Sequence, residues 1–251
     1  MTERSNEGGH SEQGIKVISR MAGFVELDPS ELEQLMGLAG CRSRFRRGDV
    51  IRSEAEHDLY LVVDGWAASA VILEDGSRQL VSVNLPGDIL GLPGLAVKEP
   101  IDTVIALTDV EVTSIPQQQL GAMFAQSPRL AAIMFLISQE ERSLLMERLA
   151  LIGQAPALTR LAALILRLQE RHAQLGNQPT QNFFMPLTQR ELGDLIGVSS
   201  VHTNGLLKEL RSGEVATIGN RQLTVLDRGR LAKIAGVAPW RRAKPAWLPR
   251  L

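Results

Sequence analysis

The sequence predicts an α+β fold: an N-terminal roll of short strands, one long helix, and a compact helical C-terminal part closed by a hairpin. Three features point to it. Between Cys41 and Ile115, short β-branched runs are separated by Gly-Asp and Asp-Gly turns. Between Ser127 and Gln154, apolar residues recur at helical spacing. From Thr188 to Leu226, two short amphipathic segments around Gly197 precede two β-prone runs.

Size and composition bound the possibilities. The chain has 251 residues, 44% hydrophobic and 22% charged, the composition of a soluble protein large enough for two small domains. Its single cysteine, Cys41, excludes an intramolecular disulfide, a four-cysteine iron–sulfur cluster and a Cys-rich zinc site. Residues 1–14 are polar, lack the apolar core of a signal peptide and are expected to be disordered. No run reaches about 18 uninterrupted apolar residues, so a cytoplasmic location without membrane contact is expected.

The first domain is expected to span residues 15–126. Ile18, Met21, Phe24 and Leu27 lead at helical spacing to Asp28-Pro29, and Ser30 with Glu33 has the spacing of a capping box. The runs 45–51, 59–65, 66–85, 87–91 and 102–115 read as strands, with Asp75-Gly76 marking a hairpin. Regular short strands with such turns form a β-roll or jelly roll.

Residues 127–154 read as one long helix. Leu130, Ile137, Leu144 and Leu151 recur every seven residues, with Ile133 at the matching second position, the pattern of a seam between helices. Glu140 and Glu147 fall at later second positions and make that seam imperfect. Phe135, Leu136, Leu145 and Leu149 add further apolar positions. One face is therefore assigned to the helix's own domain and one, the seam, to a second copy across a two-fold axis.

The C-terminal domain is expected over residues 155–236. Residues 157–172 form an amphipathic helix, followed by a loop over 176–183. Thr188 and Glu191 then stand three apart just before Leu192, Leu195 and Ile196, a capping-box start. Gly197 ends that helix, and Ser199 is the N-cap of a second one carrying Leu206, Leu207 and Leu210 on one face. Two β-prone runs, 215–218 and 222–226, flank a Gly219-Asn220 hairpin signal. Helix, glycine turn, helix and hairpin make a winged helix-turn-helix, whose second helix enters the major groove of DNA. The tail, 237–251, holds three prolines, two tryptophans and three arginines and is expected to run extended, against a dimer, against phosphates or free.

Charge supports the division. Residues 156–251 carry 14 Lys and Arg against 6 Asp and Glu, a balance of +8, while the remaining residues carry −9. A basic C-terminal part suits double-stranded DNA, and the acidic part is repelled by it.

This order of parts resembles the bacterial Crp/Fnr superfamily, the cyclic-AMP receptor and fumarate–nitrate regulator type. The resemblance covers about residues 20–236 and rests on Phe-Arg-Arg-Gly-Asp-Val-Ile at 45–51, Leu-Tyr-Leu-Val-Val-Asp-Gly at 59–65, Pro-Gly-Asp-Ile-Leu-Gly at 86–91 and the helix-turn-helix. It implies a cyclic-nucleotide-binding-like roll and a homodimeric transcription factor on double-stranded DNA, with RNA polymerase as a further partner. It is not an enzyme's pattern: no catalytic constellation stands out.

The departures from that family bear on the effector. Its nucleotide-binding members follow the Gly-Asp or Gly-Glu turn with a glutamate for the ribose and an Arg-Ser or Arg-Thr pair for the cyclic phosphate. The effector pocket that the resemblance implies is Gly87, Asp88, Gly91, Leu92, Asp102 and Thr103, with Leu92 in place of the glutamate and Asp102-Thr103 in place of the pair. An aspartate repels a phosphate, and the bidentate guanidinium contact is lost, so cyclic AMP is not expected to bind in the family's manner. A cluster of the fumarate–nitrate type fails for want of cysteines. The effector stays open: haem on His57 or Cys41, another small molecule, or a cyclic nucleotide in a divergent pocket.

Candidate DNA contacts are Thr188, Gln189, Arg190, Ser199, Ser200, Val201, His202, Asn204, Lys208, Arg211 and Arg221. The cyclic-AMP receptor type carries Arg-Glu-three residues-Arg on its groove face, and this chain has Ser200, Val201 and Gly205 there. Asn204 and His202 are the polar groups placed for base edges, and Lys208, Arg211 and Arg221 those placed for phosphates.

Overall fold

The structure is a computed structural model that describes residues 20–38, 40–53, 58–175 and 181–248. The expected disorder over 1–14 and the candidate His57 lie outside the described residues. The chain divides into two compact units, one of residues 1–69, 83–139 and 242–251, the other of 70–82 and 140–241. No single helix among the described residues is long and apolar enough to cross a membrane.

The first unit opens with helix α1, Pro29–Gly37. Its N-cap is Asp28, whose side chain accepts from Glu31 N while Glu31 reaches back to Asp28 N. This corrects the expected Ser30/Glu33 box. Proline has a preset φ and lacks only an N–H that the first turn leaves unpaired, so the helix starts on Pro29, and Ser30 donates to Asp28 Oδ1 at 2.8 Å.

Eight strands follow: β1 (Arg42–Phe45), β2 (Val50–Arg52), β3 (Leu59–Asp64), β4 (Ala67–Ile72), β5 (Arg78–Asn84), β6 (Ile89–Leu90), β7 (Asp102–Ala106) and β8 (Val110–Ile115). They form two four-stranded sheets, ordered β1-β8-β3-β6 and β2-β7-β4-β5, the expected jelly roll. In the first sheet β3 and β8 are antiparallel, with Leu61 opposite Thr113 and Val62 opposite Val112. Alternating inward residues such as Val62, Val104, Val110 and Val112 close one core cluster.

A second cluster joins the roll to helices. Helix α2 (Gln117–Gln126) supplies Leu120 and Met123, and helix α3 (Pro128–Gln154) supplies Leu130, Ile133 and Ile137, packed with Leu59, Ile89 and Ile115. Leu130, Ile133 and Ile137 are 0%, 0% and 2% exposed, which reverses the expected faces: most of the seam assigned to a second copy packs on this chain's own core, with Leu144 and Leu151 half-buried. The outward apolar stripe is Phe135, Leu145, Met146, Leu149 and Ile152, at 56%, 46%, 61%, 72% and 40% exposure. Phe135 and Leu149 are fourteen residues apart, and Leu145 and Ile152 seven, so this stripe too follows a heptad, with Ser138 and Arg142 at its polar positions. It is offset from the expected seam by two residues, about 200° around the helix.

In the second unit, helix α4 (Ala157–Ala173) buries Leu161, Ile165, Leu166 and Leu168. Strand β9 (Asn182–Phe184) occupies what the sequence reads as the end of a loop, because Phe183 is buried and pairs with Leu223. Helices α5 (Gln189–Ile196) and α6 (Ser200–Ser212), strands β10 (Ala216–Gly219) and β11 (Gln222–Val225), and helix α7 (Arg228–Ala235) complete it. The small sheet runs β10-β11-β9.

Candidate nucleic-acid interface

Local sequence builds the helix-turn-helix. Thr188 caps α5 by accepting from Glu191 N at 3.2 Å, and Glu191 Oε2 accepts from Thr188 N at 2.7 Å. Gly197 ends the helix at φ 71°, a left-handed conformation that glycine adopts without strain. Ser199 then caps α6, accepting from His202 N at 3.2 Å. The two helices approach closely at Gly193: a Cβ there would lie 2.5 Å from Val198 O and 3.0 Å from Thr203 Oγ1. Thr203 is fully buried and its hydroxyl donates to Ser199 O at 3.0 Å, fixing the turn.

Burial separates the two faces of α6. Leu206 and Leu210 are 6% and 2% exposed, whereas Ser200, Val201, His202 and Lys208 are exposed. Asn204 is half-buried, and its Oδ1 accepts from Gln189 Nε2 at 3.4 Å, at the long end of hydrogen-bond distances. Thr188, Gln189 and Arg190 at the start of α5 are also exposed.

The wing turns on Asn220 and Arg221, with φ 51° and 57°, while Gly219 pairs with Gln222. The expected Gly219-Asn220 turn therefore shifts by one residue, and Arg221 sits at the exposed tip. Arg211 is exposed, and its Nη2 donates to Ile218 O at 3.2 Å, which ties α6 to the wing. Other cations of this unit are engaged internally. Arg167 donates to Glu147 and Glu170, each at 2.6 Å, and to Ala238 O at 2.9 Å. Those carboxylates raise the Arg167 pKa against the opposing effect of burial, so it stays charged.

The tail docks on its own chain. Trp240 donates its indole N–H to Glu140 Oε1 at 2.8 Å, and its ring lies 5.3 Å from the Arg167 guanidinium. Farther on, Arg242 sits 4.7 Å over the Phe24 ring, and Leu248 is 9% exposed in the first unit's core.

The roll's expected effector pocket is rearranged. Arg52 is completely buried, and its Nη1 lies 3.3 Å from Asp102 Oδ1 and 3.2 Å from Asp102 O, while Nε donates to Asp58 O at 3.2 Å. Cβ atoms added at Gly91 or Gly94 would fall 2.8 Å and 2.6 Å from that guanidinium, so the side chain fills the turn. Asp102 thus faces an internal cation. Asp88 leaves the pocket, pairing with Arg20 in the buried interior and accepting from Leu85 N at 2.8 Å. Leu92 packs against the core, Thr103 is buried within β7, and Gly87 serves the turn by donating to Val62 O at 2.8 Å. Sequence reasoning missed Arg52. The signal was a lone arginine at the end of a short β-branched run. Cys41 is exposed, and no group of three or more potential metal ligands occurs among the described residues.

Comparisons with known proteins agree with this geometry. Residues 42–127 match the cyclic nucleotide-binding domain family, and residues 159–234 the Crp-like helix-turn-helix domain family. Over 229 residues the chain is 28% identical to the fumarate and nitrate reduction regulatory protein of Vibrio cholerae, covering 88% of this chain and 89% of that one. It is 29% identical over 225 residues to the transcriptional activator protein FnrL of Cereibacter sphaeroides, covering 87% and 90%. The solved structure of FixK2 from Bradyrhizobium japonicum shares the fold, with TM-score 0.69 and 23% identity over 80% of this chain and 100% of that one.

Proposed function

The chain belongs to the Crp/Fnr family of DNA-binding transcription regulators, whose members are not enzymes, and from that premise we propose that two copies bind a palindromic operator in the cytoplasm. Bound there, the dimer acts on RNA polymerase, which makes that enzyme its further partner. The observation that carries the reading is the polarity of α6: one face is buried against its own unit, and the other presents Ser200, Val201, His202 and Lys208 to solvent beside exposed Arg190 and Arg221. Asn204 supplies an amide for adenine, and Lys208, Arg190 and Arg221 supply phosphate contacts. The exposed heptad of α3 supports a two-fold dimer.

The effector is not cyclic AMP bound in the family's manner. Leu92 is engaged in the core, and Asp102 stands where the phosphate-binding arginine would, already facing Arg52. Selection on random duplex DNA with the purified full-length protein, without added ligand, tests the reading. Two half-sites about one helical turn apart are expected, and Asn204→Ala should relax one base pair in each. Recovery of no motif would overturn it.

A further inference from the structure

The α6 surface contains one group that polar recognition does not use. Val201 is 82% exposed, more than Leu149 at 72% or Ile101 at 69%. It is the second residue of α6, in the turn whose residues reach base edges when such a helix enters the major groove. Its chain neighbours Ser200 and His202 are both exposed and polar. As a β-branched residue in a helix it has one strongly preferred rotamer, so its methyl groups are already fixed in direction.

Resting on the DNA-binding reading above, we propose that Val201 is a specificity-determining residue that selects thymine by packing against its C5 methyl group. Valine has neither donor nor acceptor. Of the features the major groove displays, the thymine methyl is the only apolar one. The related type carries a glutamate at this position, and a carboxylate would accept from the cytosine N4 amino group instead. The exchange from carboxylate to isopropyl therefore changes the preferred base at one position in each half-site from cytosine to thymine.

The test replaces each thymine of the selected operator, one at a time, with deoxyuridine, which removes the methyl group and nothing else. One position per half-site should lose affinity about fourfold, the equivalent of about 0.8 kcal/mol for one methyl-sized group. Val201→Ala should abolish that sensitivity, Val201→Ile should keep it, and Val201→Glu should move the selected base from thymine to cytosine. The position is exposed, and unchanged helical content in each variant confirms folding. Deoxyuridine tolerated at every thymine, or a loss that persists in Val201→Ala, overturns the proposal while leaving DNA binding intact. Absence of any selected operator overturns both readings.

Discussion

Single residues decide how much of the reader helix is legible in a sequence. The caps Thr188, Glu191 and Ser199 are local signals, fixed by bonds that span three residues, and the structure contains each of them. The Arg52–Asp102 pair lies outside that reach, because its partners are 50 residues apart and become neighbours only when β2 and β7 pair. The same holds for Arg20 with Asp88. Gly205 is legible in another way. It lies inside α6 with nothing within 4 Å of an added Cβ, so the helix carries glycine's entropic penalty with no packing reason. Gly205→Ala should stabilise the protein by about 1 kcal/mol in chemical denaturation. Equal or lower stability would mean that the space is filled in the folded state.

At the level of elements, the strands of the roll, the long helix and the winged helix-turn-helix are readable from periodicity and turn residues. The side of α3 that faces outward was not. Two apolar heptads share that helix, and only contact with the roll determines that Leu130, Ile133 and Ile137 are consumed by the core. The outward heptad is the one that a second copy would cover. Leu145→Lys with Leu149→Lys should leave the fold intact, since both residues are 46% and 72% exposed, yet yield monomers by sedimentation. A dimer that survives both changes would place the interface on another surface. Strand β9 escaped notice because three residues are too few for a period, and its pairing with β11 is what defines it.

For the whole molecule, the 14 Lys and Arg of residues 156–251 outnumber the cations offered to DNA. Arg167 is held by Glu147 and Glu170, and Arg228 approaches Glu170 at 3.5 Å, so these guanidinium groups are turned to partners within their own unit. If Arg190, Lys208 and Arg221 of two copies make the phosphate contacts, log affinity should fall against log salt with a slope of about −5, where all 14 cations per copy would give about −25. Fluorescence anisotropy across a salt series reads the slope directly. A value near zero would remove the electrostatic face, and one steeper than about −10 would bring in the tail arginines.

The docked tail also makes the chain its own optical instrument. Its three tryptophans report from different surroundings: Trp66 is 6% exposed, Trp247 is 60% exposed, and Trp240 is held between a carboxylate and a guanidinium. With Trp66 and Trp247 replaced by phenylalanine, Trp240 is the single emitter. Its colour and quenching then follow the seating of residues 237–241 on α3 and α4 in real time, during unfolding or while DNA is being bound, with no dye attached.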